Sequence, residues 1–232
     1  VYSERGRYNM STKQAVLLDR SVLYNGNKDA TADSIFYDTA AGYSEMFGNI
    51  IYKDTVDRNM LTGEYAYMNE IVDSAYVTGR ALVVDFSQKD SLFMHADPIW
   101  AVSYNLDTDS LYRMVRAYNK VRAWGVSMQA VCDSMVFDSR DTCVTMYKDP
   151  ILWNNDVQLL GEQVKVYMDS TSIDWVHVIN QTLYVEPMDS ANYNQIRGKE
   201  MRFFFEENKL SEMQVIGSVE IVFFPLDEDS VY

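Results

Sequence analysis

Alternation with a period of two, recurring in six tandem segments, limits this chain more than any other feature of its sequence. Each segment opens on a small, Asp or Gly anchor, continues as an alternating run, turns through Asp, Ser or Asn, and returns as a second run. The anchors fall at Asp33, Gly63, Asp97, Asp133, Gly161 and Gly198, roughly every 33 residues. Side chains alternate between faces only along a β-strand, so the pattern predicts paired strands. No segment sustains a helical period. The best helical candidate, residues 109–121, has Leu111, Met114, Val115 and Tyr118 at helical spacing, but it stands where the other units place a returning strand. A strand is expected there too. Aromatic residues make up 13% of the chain and favour the same structure, because they pack well on a pleated, half-buried surface.

One hairpin cannot bury its own apolar face, whereas stacked hairpins cover one another. The chain is therefore expected to be all-β, with about six β-hairpin repeats stacked around an apolar interior. The sixth repeat shows the face best: Met201, Phe203 and Phe205 alternate with Glu200, Arg202 and Phe204. Phe36, Ala66, Trp100, Val136 and Val164 sit at the equivalent offset from their anchors, so this column is expected to point inward. The assignment hangs on register, because a shift of one residue moves every side chain to the other face.

The turns are rich in Asp-Ser, which occurs nine times, and in Asp-Thr at 38, 54, 107 and 141. Short Asp and Ser side chains bond to the backbone just ahead of them and close turns. Calcium-binding acidic rolls need a Gly-rich nonapeptide, which this chain lacks. The formal net charge of −14 repels phosphate backbones and argues against nucleic-acid binding. No run of 18 uncharged apolar residues is present. The chain begins at Val1 without a leader and reads as a mature form.

Catalytic and metal signatures are missing from the sequence. His95 and His177 lie inside apparent strands, and no zinc-ligand spacing, nucleophile elbow or phosphate loop occurs. Neither a cofactor nor a metal is expected. Cys132 and Cys143 flank the turn Asp138–Asp141, and a hairpin there sets Cys132 opposite a residue near Lys148. Two thiols are therefore expected rather than a disulfide. Trp100, Trp124, Trp153 and Trp175 recur near strand ends and read as packing residues, with sugar stacking as the alternative.

The units Ala32-Asp33-Ser34-Ile35-Phe36-Tyr37-Asp38, Phe47-Gly48-Asn49-Ile50 and Val77-Thr78-Gly79-Arg80-Ala81 resemble the OstA/LptA family of lipopolysaccharide-transport proteins. The segment 194–219 resembles the divergent OstA-like proteins of Bacteroidetes-type bacteria. The resemblance covers roughly residues 15–225 and leaves residues 1–14 as an N-terminal extension to one domain over 15–232. It implies a folded-over antiparallel β-jellyroll, or β-taco, in the periplasm. It also implies a non-enzymatic role: acyl chains of lipopolysaccharide (its lipid A) held in an apolar groove, and docking to other β-jellyroll transport proteins, or end to end with its own copies, through open strand edges. Under that reading the lipid-contacting residues are Phe36, Trp100, Val136, Val164, Met201, Phe203 and Phe205. A structural β-module without ligand and a β-solenoid carbohydrate-binding module are the alternatives.

Overall fold

The computed structural model describes residues 2–87, 89–126, 128–169, 172–206 and 209–225. These contain twenty-one strands and no helix. The strand pairings are antiparallel, as the alternation requires. Chain contacts divide the protein into two compact units, residues 1–126 with 138–140, and residues 127–137 with 141–232.

The first unit holds β1 (Arg5–Asn9), β2 (Gln14–Asn25), β3 (Lys28–Asp38), β4 (Tyr43–Asp54), β5 (Asn59–Asn69), β6 (Ser74–Thr78), β7 (Leu82–Asp85), β8 (Leu92–His95), β9 (Ile99–Tyr104), β10 (Tyr112–Ala117) and β11 (Val121–Trp124). The helical candidate at 109–121 is strand β10, as expected. Residues 5–9 of the N-terminal extension pair along β2. The long strands are each folded in the middle. The β2–β3 register slips between Leu18 and Ser21, and the β4–β5 register between Phe47 and Ile50. Strand β5 pairs with β6 through one half and β7 through the other. Strands β6 and β7 are therefore two halves of a single folded rung. So are β8 with β9 and β10 with β11, whose halves pair in matching order.

Two kinds of corner alternate along this unit. On one rung, two successive residues take the left-handed conformation: Asp19-Arg20, Gly48-Asn49, Gly79-Arg80 and Asn119-Lys120. On the next rung a small residue precedes an acid: Ala32-Asp33, Gly63-Glu64 and Ala96-Asp97. The acid satisfies the backbone and side-chain donors that the left-handed pair leaves free. Asp97 accepts from the amides of Gly79 and Arg80 at 3.1 and 3.0 Å. Glu64 accepts from the Asn49 amide at 3.2 Å and the Arg80 guanidinium at 2.6 Å. Asp33 accepts from Asn49 Nδ2 at 2.8 Å and Arg20 at 3.2 Å. The small residue is needed because the corner is crowded inside: Ala32 and Ala96 are fully buried.

The second unit repeats the arrangement. It holds β12 (Met128–Cys132), β13 (Ser134–Asp138), β14 (Cys143–Tyr147), β15 (Ile151–Asn154), β16 (Val157–Leu160), β17 (Gln163–Met168), β18 (Ile173–Pro187), β19 (Tyr193–Glu206), β20 (Lys209–Ile216) and β21 (Glu220–Val222). Left-handed pairs stand at Lys148-Asp149, Asn180-Gln181 and Gly217-Ser218. They face Cys132-Asp133, Gly161-Glu162 and Gly198-Lys199. Lys148 reaches Asp133 at 2.9 Å, while Asn180 and Gln181 both donate to Glu162 at 3.1 and 2.7 Å. The anchors read from the sequence are thus mid-strand corners, not strand starts.

Turn chemistry follows the sequence reading. Asp38, Asp54, Asn69 and Asp189 each accept two backbone amides just ahead, at 2.7–3.1 Å. Asp-Ser has two uses: Asp189 closes a turn, whereas Asp33 and Asp133 serve corners. The turn at residues 207 and 208 and the last Asp-Ser pair, at 229, lie outside the described residues. Cys132 and Cys143 are buried free thiols.

Two predictions follow from the corners. A Cβ at Gly79, where φ is +78°, would lie 2.5 Å from Glu64 Cβ, whereas at Gly26, with φ +62°, it would meet nothing within 4 Å. Gly79→Ala is expected to destabilise the fold by about 3 kcal/mol and Gly26→Ala by about 1 kcal/mol, read from chemical denaturation. The Thr78 hydroxyl and two backbone amides hold the Asp97 carboxyl below the usual carboxylate range. A lowered folded-state pKa contributes stability above the unfolded value and loses it as pH falls through the folded value. Asp97→Asn should therefore remove about 1 kcal/mol at pH 7 and flatten the stability profile below about pH 4, measured by denaturation across pH.

Candidate functional site

Among the described residues, each unit has an apolar interior of the kind the sequence reading expects of the site. In the first unit its central row runs Leu17, Ile35, Met46, Ala66, Val77, Ile99, Ala117, each opposite the next across neighbouring strands. From Ile35 onward the row is buried. In the second unit one row runs Met146, Val164, Val178, Met201, Val215 and the next runs Val144, Val166, Val176, Phe203, Met213. Branched aliphatic and methionine side chains fill these rows, and they carry no group that needs a polar partner.

Both interiors are filled by the chain itself. In the second unit Tyr184, on β18 beyond its corner, stacks on Phe203 of β19, which pairs with Val176 on the other half of β18, with ring centroids 6.0 Å apart. Burial and Glu186 push the Tyr184 hydroxyl up to about 12, so the ring stays neutral where it packs. At the rim of the first unit, Asp73 accepts from Arg113 at 2.9 Å and from the Ser103 hydroxyl.

The structure separates the seven residues expected to face inward. Val164 and Met201 are fully buried and Phe203 nearly so, while Phe205 is half-buried at the strand end. Phe36, Trp100 and Val136 sit on the opposite face of their strands. The interior positions are their predecessors, Ile35, Ile99 and Met135. Trp100 is 45% exposed against 4% for Ile99. A sequence signal for the correct face exists. The inward residue lies three positions after the small residue of each corner pair: Ala32 to Ile35, Gly63 to Ala66, Ala96 to Ile99, Cys132 to Met135, Gly161 to Val164, Gly198 to Met201. Counting from the acid in three repeats and from the glycine in the other three shifted half the column by one.

His177 shares a hydrogen bond with Glu200 at 3.2 Å, and His95 is exposed at the end of β8. Burial pushes the Cys132 thiol up to about 11, which leaves it a thiol rather than a nucleophilic thiolate. Among the described residues no group of three His, Cys, Asp or Glu side chains is placed to hold a metal ion.

Two edges stay open among the described residues. Among the described registers, β1 pairs along β2, and β20 and β21 each pair along β19. The second edge is markedly apolar: Leu210, Ile216, Ile221, Val222 and Phe223 are all exposed. An unpaired edge with apolar side chains is a template for another strand.

No family model matches the chain, and no curated protein matches it. Among solved structures, the chain is similar to LptH of Pseudomonas aeruginosa, described as the LptA-homologous periplasmic component of the lipopolysaccharide transport device. The identity is 10%, over 85% of this chain and 95% of that one, with a TM-score of 0.28. At that TM-score no residue of this chain takes a role from it.

Proposed function

We propose that this protein is a non-enzymatic periplasmic carrier segment for lipopolysaccharide, holding lipid A acyl chains along the interior of its folded strands. The carrying observation is the aliphatic interior itself. Rows of Val, Met, Ile and Ala run across successive strands with no buried charge among them. The resemblance of the repeats to the OstA/LptA family points the same way. Lipid contact is proposed for Val164, Met201, Phe203 and Phe205. Phe36, Trp100 and Val136 are left out because they lie on the other face. Acyl chains enter by parting the two halves of the folded strands, which separates contacts such as Tyr184 with Phe203. Each methylene transferred from water to this interior contributes about 0.8 kcal/mol. The open edges of β1, β20 and β21 take neighbouring β-jellyroll transport proteins, or a second copy of this chain, by strand addition.

The filled interior favours a second reading, an assembly module whose rows are only its core. One experiment separates the two. A photo-crosslinking residue is placed at Val164, at Met201 and, as the outward control, at Val136, and the folded protein is incubated with lipid A. Labelling at 164 and 201 but not at 136, competed by unlabelled lipopolysaccharide and abolished by detergent, is expected. Folded protein that binds no lipid A saturably, yet forms edge-to-edge oligomers, establishes the assembly module instead.

A further inference from the structure

The outer face of the first unit carries a row of aromatic side chains that the interior does not explain. Phe36, Glu45, Tyr67, Tyr76, Trp100 and Arg116 stand opposite one another in succession across strands β3, β4, β5, β6, β9 and β10. Tyr65 lies two residues along β5 on the same face. A cleft of about 320 Å³ opens here, lined by Tyr65, Tyr67, Ser74, Ala75, Tyr76 and Trp100. Its rings are crossed rather than coplanar. Tyr76 meets Trp100 at 72° with centroids 4.8 Å apart, and Tyr65 meets Tyr76 at 61° and 6.1 Å. Crossed rings form walls on more than one side of a small group, whereas a flat sugar needs a coplanar platform.

On the Tyr67 side of the cleft the charge is negative, from Glu45. Tyr65 donates its hydroxyl to Glu45 Oε1 at 2.7 Å. Burial and that carboxylate push the Tyr65 hydroxyl up to about 12, so it remains a donor. The second oxygen of Glu45 has no hydrogen-bond partner among the described residues. Arg116 stands directly opposite Trp100, with its guanidinium on Tyr104 Oη at 3.4 Å and Met114 Sδ at 3.3 Å. The whole chain carries a net charge of −14 and draws cations toward its surface.

We propose that this cleft binds a small alkylated organic cation, its ammonium group held against the faces of Tyr65, Tyr67, Tyr76 and Trp100 and attracted by Glu45. Ring faces carry the negative end of the aromatic quadrupole, and an alkylated ammonium loses little hydration when it enters such a site. The site is independent of the lipid-carrying interior, which occupies the other face of the same strands.

The test is titration of the full chain with choline, and in parallel with 3,3-dimethylbutan-1-ol, its uncharged isostere, followed by tryptophan fluorescence and calorimetry. Methyl glucoside is a third arm. Saturable binding of choline, with none of the alcohol, is expected. Trp100→Leu should weaken it roughly fivefold and Glu45→Gln roughly threefold, with unchanged far-ultraviolet circular dichroism. Equal binding of the alcohol, binding of the glucoside instead of choline, or no saturable choline binding by the folded wild-type chain overturns the proposal. Because Glu45→Gln keeps the shape of the side chain, a null effect there would remove the carboxylate from the site even if Trp100→Leu failed to fold.

Discussion

Everything in this fold depends on how a strand is bent back without losing its backbone hydrogen bonds. Two successive left-handed residues turn the chain but free their amides from the ladder, and a buried amide without a partner costs about 1–3 kcal/mol. The neighbouring rung answers with a carboxylate at the same level, as Asp97 does for Gly79 and Arg80. Left-handed conformation in residues such as Arg20, Arg80 and Gln181 is itself unfavourable by about 1–2 kcal/mol each. It persists because the donors it exposes are met by charge. The requirement is local and recurs at successive corners, met by Asp33, Glu64, Asp97, Asp133 and Glu162, whereas at Gly217 the Lys199 amide donates to its carbonyl. A sequence of alternating strands can therefore fold over in register many times without a helix or a long connection.

The same device explains what was legible in the sequence. The all-β class, the absence of a disulfide, the strand at 112–117 and the Asp-closed turns follow from local chemistry, and each can be seen in a window of a dozen residues. The meaning of the anchors could not be read that way. A small residue followed by an acid looks like the start of a strand, because turn residues usually flank strands. Only pairing on both sides shows that β5 runs straight through Gly63-Glu64. Alternation also resets across the corner, so Ala32 and Ile35 are both buried although they are three apart. A period-two rule carried through that point assigns Phe36, Trp100 and Val136 to the wrong side. Large apolar residues such as Trp100, 45% exposed, do not mark burial on the outer face. Here they pack on one another instead, as Tyr65, Tyr76 and Trp100 do.

The interior and the outer face thus divide the apolar residues by shape. Aliphatic and methionine side chains, compact or flexible, fill the narrow space between the halves of the folded strands. Tyr184 and Phe203 stack within the second unit, while the rings of Tyr65, Tyr76 and Trp100 stand on the outside of the first, where a tyrosine hydroxyl can reach a carboxylate, as Tyr65 reaches Glu45. The rows of this interior are hydrocarbon in chemistry. The lipid-carrying reading rests on that chemistry, and the closed packing sets its condition: the halves must separate to let a lipid in.

An aspartate scan of the two faces measures the central claim most directly. Single substitutions are made at Ile35, Ile99, Met135, Val164 and Met201, and at the next residue of each strand, Phe36, Trp100, Val136, Lys165 and Arg202. Stability of each variant is read from urea denaturation. A buried unpaired carboxylate at the first set is expected to lower stability by about 3 kcal/mol or more, and an outward one at the second set by about 1 kcal/mol. Equal losses in the two sets, or larger losses at Phe36, Trp100 and Val136 than at the residues before them, would contradict the account of how the corners set the inward face.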